Sequence, residues 1–248
     1  MSHSVLMDDG THPMDDLQQR WLFALSAPMV AINASSGAQY ALPNFYPGTE
    51  HIDLSESWDI ADRGALLAMI QRMTDDGHAR DLSGAYWDNA RLLPSEWQAL
   101  VDSLDERQQV AYRYVAETIL VCGSGGIRAW DLGRMSFLAR LGQLNGWLSL
   151  EENLWLHTRL SLRARYYYQS WHSYLAGFLI GRCYWNCLGN EQPDEQALCL
   201  SRQGSDPTHR ALVRELALTP AAQLDELPWD MELDLPEKPT SLEAFDWS

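Results

Sequence analysis

Apolar positions recur at helical spacing through most of this chain, and strict alternation of apolar and polar residues is nearly absent, so the pattern predicts an all-α, single multi-helix domain. Leu17 to Pro28 carries a short helix that Pro28 should end. From Ser57 a second stripe of Ile60, Leu66, Leu67, Ile70 and Met73 runs to Gly77, with Asp59 expected in its first turn. Ser95 behind Pro94, with Gln98 following, reads as a capping box. The helix it opens has a stripe from Trp97 through Val101 and Val115 to Ile119, until Gly123-Ser-Gly-Gly126 stops it. A further helix begins near Trp130 with Leu132, Met135, Leu138 and Leu141, and Ser149 with Glu152 forms another capping box. The helix from Ser170 has the cleanest face, built on Trp171, Tyr174, Phe178 and Arg182. Gly177 and Gly181 on one stripe allow close helix approach.

Between the first two helices, Gly37, Pro43, Pro47 and Gly48 stand among Tyr40, Phe45 and Tyr46. They predict irregular chain, with room for a short hairpin, in a loop long enough to suggest function. The organisation expected is a mobile tail over 1–16, a helical domain over 17–200, and an acidic, partly ordered segment over 201–248. Pro228, Pro236 and Pro239 break helix in that last segment. Loose order is expected there, with docking through Trp229, Phe245 or Trp247 as the alternative.

Charge narrows the partners. The 34 acidic residues against 18 basic ones give a net charge of -16, which disfavours nucleic acid. The most apolar stretch, Trp171 to Leu188, is interrupted by His172, Arg182 and Asn186 and falls short of the roughly 20 residues a spanning helix needs. No membrane partner is expected. Without a basic region and apolar run at the amino terminus, the cytoplasm is the expected compartment. Cys122, Cys183, Cys187 and Cys199 are too sparse for a disulfide framework, and the Cys183–Cys187 pair lacks a second ligand knuckle. The sequence therefore predicts buried inert thiols, no metal and no cofactor.

Candidate chemistry comes from two segments that echo each other as a loose internal duplication. Trp58-Asp59 with Arg63 precedes a helix ending in Gly77-His78, and Trp130-Asp131 with Arg134 precedes one ending in Gly146-Trp147. Each pattern sets a carboxylate at the positive end of a helix, with an arginine about one turn away. The structural reading is a duplicated core in which Asp131 and Arg134 form an ion pair. The functional alternative is a pocket in which Asp131 and Arg134 serve as acid and anion clamp, converging with His51 or His78. Gly123–Gly126 lacks the spacing of a phosphate loop, no nucleophile elbow follows a strand, and no residue pattern names a reaction.

Trp130-Asp131-x-x-Arg134, Leu138-Ala139-Arg140, Gly146 with its aromatic neighbour, Ser170-Trp171, Tyr174-x-x-Gly177 and Gly181-Arg182 together resemble a bacterial family, domain of unknown function 1266 (the YbeU/YbeR type). The segment from Trp58 to His78 is similar to that family's first half. The resemblance implies a mostly helical cytoplasmic protein without an assigned enzymatic activity. Members of the type occur beside Rhs-type polymorphic toxins, which implies an immunity protein binding a cognate toxin, of type VI secretion kind, with a cytosolic target. A charge of -16 would steer such a chain toward a basic toxin. Candidate toxin contacts are Tyr40, Phe45 and Tyr46 in the loop, and Asp230, Glu232 and Asp234 in the acidic segment. The alternatives are a binding or regulatory module, or an enzyme using the pocket around Asp131 and Arg134.

Overall fold

Side-chain caps fix where several helices begin in the computed structural model, which describes residues 14–40, 45–203, 207–218 and 224–247. Asp15 accepts the Gln18 N–H at 2.8 Å and opens α1 (Asp16–Ala24). The expected tail residues 1–13 and Pro43 lie outside the described residues. Pro28, expected to end a helix, instead sits in the first turn of α2 (Ala27–Ile32), where its missing N–H has no intrahelical bond to lose. The second expected helix is two. A single turn, α3 (Ser55–Trp58), closes on Asp59 in left-handed conformation, φ 55°. Then α4 (Arg63–Asp76) starts on Asp62, which accepts the Ala65 N–H at 2.9 Å. Asp59 therefore ends a helix where the sequence placed it in a first turn.

The next helix, α5 (Arg80–Arg91), has no counterpart in the sequence reading, because Leu82, Ala85 and Tyr86 sit among polar residues and Gly84. The long stripe from Trp97 to Ile119 also divides, into α6 (Pro94–Asp102) and α7 (Glu106–Cys122). Glu96 rather than Ser95 supports the start of α6, accepting the Leu93 N–H at 2.9 Å, and Asp105 with Gln108 boxes the start of α7. Helices α8 (Arg128–Leu144), α9 (Leu150–Tyr167) and α10 (Trp171–Asn186) follow the predicted stripes, with Ser149 and Ser170 as the caps of the last two. Two further helices, α11 (Pro193–Gln203) and α12 (Pro207–Leu218), complete an all-α domain with no strand among the described residues.

The centre is α8, buried at nearly every position from Ala129 to Gly142, with α2, α4, α9 and α10 packed around it. A smaller core gathers Leu82, Tyr86, Val115, Cys122, Ile127 and Tyr184 between α5, α7 and α10. The two glycines of α10 permit its approach: a Cβ on Gly181 would lie 2.5 Å from the Trp130 Cβ, and one on Gly177 2.6 Å from the Gly126 carbonyl.

The acidic carboxyl-terminal segment is packed, where loose order was expected. Trp229 lies among Trp21, Trp171 and Tyr174, and its Nε1 donates to the Tyr168 carbonyl at 3.1 Å. Trp21 and Trp171 donate in turn to the carbonyls of Pro228 and Leu227, at 2.9 and 2.6 Å. Trp247 is buried against Trp155. Trp229, Met231 and Leu233 pack against the core while Asp230, Glu232 and Asp234 between them are exposed, an alternation that bulk composition hides.

The cysteines also depart from expectation. Cys187 and Cys199 form a disulfide, because α11 folds back against α10 and brings their Cα atoms to 5.8 Å; Cys122 and Cys183 are buried outside it. Among the described residues no helix is long and apolar enough to cross a membrane.

Gly181→Ala forces a methyl group against the Trp130 side chain, and overpacking of this kind costs about 1–3 kcal/mol. At about 2–4 °C per kcal/mol for a chain of this size, thermal unfolding followed by circular dichroism should show a loss of several degrees. Gly84→Ala, in open space on α5, should instead hold or raise the melting temperature. Equal losses in the two variants would contradict this packing.

Candidate functional site

The Asp131 carboxylate is 2% exposed in the first turn of α8, and it does not pair with Arg134. It crosses to the junction of α4 and α5, accepting the backbone N–H of His78 at 3.2 Å and of Ala79 at 2.8 Å, with the His78 Nδ1 also at 3.2 Å. The expected ion pair loses because a helix start offers several convergent donors to one buried anion. Gly77 is required for the approach, since a Cβ there would overlap the Asp131 carboxyl group.

Arg134 follows one turn along α8. Its guanidinium lies 4.7 Å from the Trp58 ring centroid and 5.0 Å from that of Trp130, so the two Trp-Asp segments meet at one cation. The two segments differ locally, since Trp58-Asp59 ends a helix and Trp130-Asp131 begins one. Arg134 Nη1 is 3.3 Å from His78 Nδ1. Burial holds the arginine below its ordinary pKa; the Asp131 charge opposes that shift and Arg72 adds to it. His78 Nδ1 thus stands between an acceptor, the Asp131 carboxylate at 3.2 Å, and a group that can only donate, the Arg134 guanidinium at 3.3 Å.

Trp58, His78 and Arg134 line a cleft of about 500 Å³ between α3, the second half of α4, the α4–α5 junction and α8. Arg134 and His78 are half-buried in it, beside buried Met73. Half-buried Trp58 and Met69 flank exposed Arg72. The rim carries four exposed carboxylates, Glu56, Asp59, Asp76 and Asp81, of which Asp76 is paired with Arg80 at 3.0 Å. Met69, Arg72 and Asp76 escaped the sequence reading, which took Met73 for a core position only, although their i, i+3, i+4, i+7 spacing marks one face of α4. Ser57 also lines the cleft, with no hydrogen bond to His78 among the described residues.

The other predicted residues serve elsewhere. His51 stands beside Trp147, outside the cleft lining. Arg63 grips Glu152 with two hydrogen bonds, at 2.9 and 2.7 Å, and Glu152 also accepts from the Ser241 hydroxyl and the Ser149 N–H. Burial would raise the Glu152 pKa, but these hydrogen bonds outweigh it and hold it at about 2. Ser170 caps α10, Trp171 anchors the carboxyl-terminal segment, and Tyr174 donates to the Leu25 carbonyl at 2.8 Å. Arg182 is half-buried on α10 and takes no part in the cleft lining.

The aromatic loop turns inward. Phe45 is fully buried, its ring 4.2 Å from the Arg140 guanidinium and 5.1 Å from Phe137, while Tyr40 and Tyr46 are half-buried. Of the three aromatic residues named as candidate contacts, Phe45 is thus held in the core by a buried arginine. Asp230, Glu232 and Asp234 are exposed. The buried Ser136–His157 hydrogen bond, 2.9 Å, belongs to the core, where burial pushes the His157 pKa down to about 3. Among the described residues no group of three His, Cys, Asp or Glu side chains is placed to hold a metal ion.

Over residues 53–229 the chain matches the family described as protein of unknown function DUF1266. It is 41% identical over 216 residues to uncharacterized protein YbeU of Escherichia coli K12, covering 87% of this chain and 92% of the relative. It is 45% identical over 190 residues to uncharacterized protein YbeR of the same strain, covering 77% and 79%. No solved structure matches the chain.

Asp131→Ala strips acceptors from buried amides at the start of α5, at about 1–3 kcal/mol for each unmet group, and should lower the melting temperature by several degrees. An unchanged melting temperature would sink the capping role. Glu152 has a depressed pKa, so its contribution is full above the ordinary carboxylate value and is lost as pH falls toward about 2. Acid titration of wild type and Glu152→Gln should show that loss in wild type alone. Parallel acid profiles would contradict it.

Proposed function

The chain belongs to the DUF1266 family, and from that premise we propose that it is a binding protein whose ligand, a small polar organic molecule, occupies the cleft bounded by Trp58, His78 and Arg134. One observation carries the reading. Arg134 holds a half-buried guanidinium at the cleft between two tryptophan rings, with no carboxylate in ion-pair contact among the described residues. Burying charge costs free energy that a counter-ion normally offsets. The Asp131 charge offsets part of that cost without ion-pair contact, and in a chain with 34 acidic residues the rest is not left for want of carboxylates. The cleft volume, about 500 Å³, lies within the range of small-molecule sites. We favour binding over turnover because, among the described residues, no hydroxyl or thiol is hydrogen-bonded to the His78 ring.

A thermal-shift panel of amino acids, organic acids, sugar phosphates and nucleotides tests the reading. At least one class should raise the melting temperature of wild type, and Arg72→Glu, at an exposed position, should weaken that ligand at least tenfold while unfolding normally without it. A silent panel, or a ligand bound equally by the variant, would overturn the cleft as the site.

A second reading, direct neutralisation of a basic toxin, is favoured by the exposed Asp230, Glu232 and Asp234 on a segment anchored by Trp229, Met231 and Leu233. Electrostatic steering should make association slow as the Debye length falls from about 10 Å at 0.1 M salt to about 3 Å at 1 M. Co-expression with the product of an adjacent toxin gene should restore growth and yield a complex. The triple variant Asp230→Asn, Glu232→Gln, Asp234→Asn should associate at least tenfold more slowly. Neither protection nor complex would end this reading.

A further inference from the structure

We infer, resting on the cleft as the binding site, that the ligand is a small zwitterion: a free α-amino acid with an apolar side chain. The cleft carries charge of both signs. Arg134 is half-buried with exposed Arg72 beside it, and Glu56, Asp59 and Asp81 are exposed around them, while Asp76 is already answered by Arg80. Four carboxylates against two guanidiniums leave the lining net negative. A polyanion such as a nucleotide would therefore be opposed by the net charge, and a simple cation would leave both guanidiniums without a partner. A compact molecule carrying both signs meets complementary charge from each.

The α-amino acid fits this arrangement in detail. Its planar carboxylate matches the guanidinium fork of Arg134, which the flanking tryptophans hold in one orientation, and exposed Arg72 supplies a second cation. Its ammonium offers three donors toward the rim carboxylates. The apolar lining left for a side chain is Trp58 with Met69 and Met73, whose flexible thioethers adapt to varied shapes. A volume of about 500 Å³ accommodates such a molecule with its water.

Titration calorimetry on the full chain, with L-leucine, L-methionine and L-phenylalanine and their N-acetyl and carboxamide forms, tests the inference. At least one free amino acid should bind, and each of its two derivatives should bind at least tenfold more weakly. Arg72→Gln should narrow the preference for carboxylate over carboxamide. The double variant Glu56→Gln, Asp81→Asn should narrow the preference for free amine over N-acetyl. All these positions are exposed, so unchanged melting curves certify the fold. An N-acetyl form binding as tightly as its parent would replace the zwitterion by a simple organic anion, and an equally tight carboxamide would replace it by a cation; either overturns the inference. Failure of all amino acids, with another panel class bound through Arg72, would overturn the ligand class and leave the cleft standing. A silent panel overturns both.

Discussion

The buried carboxylate of Asp131 is the constraint on which the rest of the architecture depends. It is 2% exposed with no arginine or lysine in ion-pair contact among the described residues, and its burial is tolerated because backbone and ring groups of the α4–α5 junction converge on it. That convergence fixes where α4 must stop and α5 must start, and it demands glycine at position 77. Once α5 is set, Leu82 and Tyr86 fall into the smaller core against Val115 and Ile127. Asp131 also fixes the phase of α8, so that Arg134, three residues on, faces the same junction and meets His78. Core and cleft thus share one register.

What could be read in the sequence was local. The capping box at Ser149–Glu152, the cap at Ser170 and the regular stripes of α8 and α10 are written in residues a few positions apart, and there the expected and observed elements coincide. The glycines at 177 and 181 likewise announce close packing, realised against Trp130 and Gly126. The errors lie where short-range signals compete. The stripe spanning α6 and α7 keeps its phase across a break that Asp105 and Gln108 mark, so periodicity overrode a visible cap. In α5 the apolar face is three residues wide and the helix depends on Asp131, more than forty residues later, for its start. The carboxyl-terminal segment was judged by its charge, although Trp229, Met231 and Leu233 alternate with the acids. The Cys187–Cys199 bridge depends on how α11 folds back, which no spacing encodes.

The site was legible as residues and not as roles. Trp58, His78, Asp131 and Arg134 stand out in the sequence, and they do converge. Their similar dipeptides nevertheless do different work: Asp59 takes a left-handed conformation that closes α3, while Asp131 reaches across to another helix. A local pattern places a carboxylate at a helix end but does not say which helix will use it, since tertiary packing decides which amides are left without partners. The contribution of α4 was hidden for a different reason. Its stripe of Met69, Arg72, Met73 and Asp76 mixes apolar and charged residues, and a search for apolar periodicity discards such a face as surface.

The capping role of Asp131 and the open cleft are connected rather than competing explanations. Had Asp131 turned to Arg134, the two charges would have neutralised each other one turn apart, and the guanidinium would have had little attraction left for a ligand. Because the amides of His78 and Ala79 saturate the carboxylate first, the arginine is left to the tryptophan rings, which orient it without cancelling its charge. Trp58 and Trp130 also restrict the rotations of a long side chain, so that part of the ordering entropy of binding is spent when the protein folds. A guanidinium held in this way, beside a second one and beneath a rim of opposite sign, is preorganised for a ligand that carries its own opposed charges.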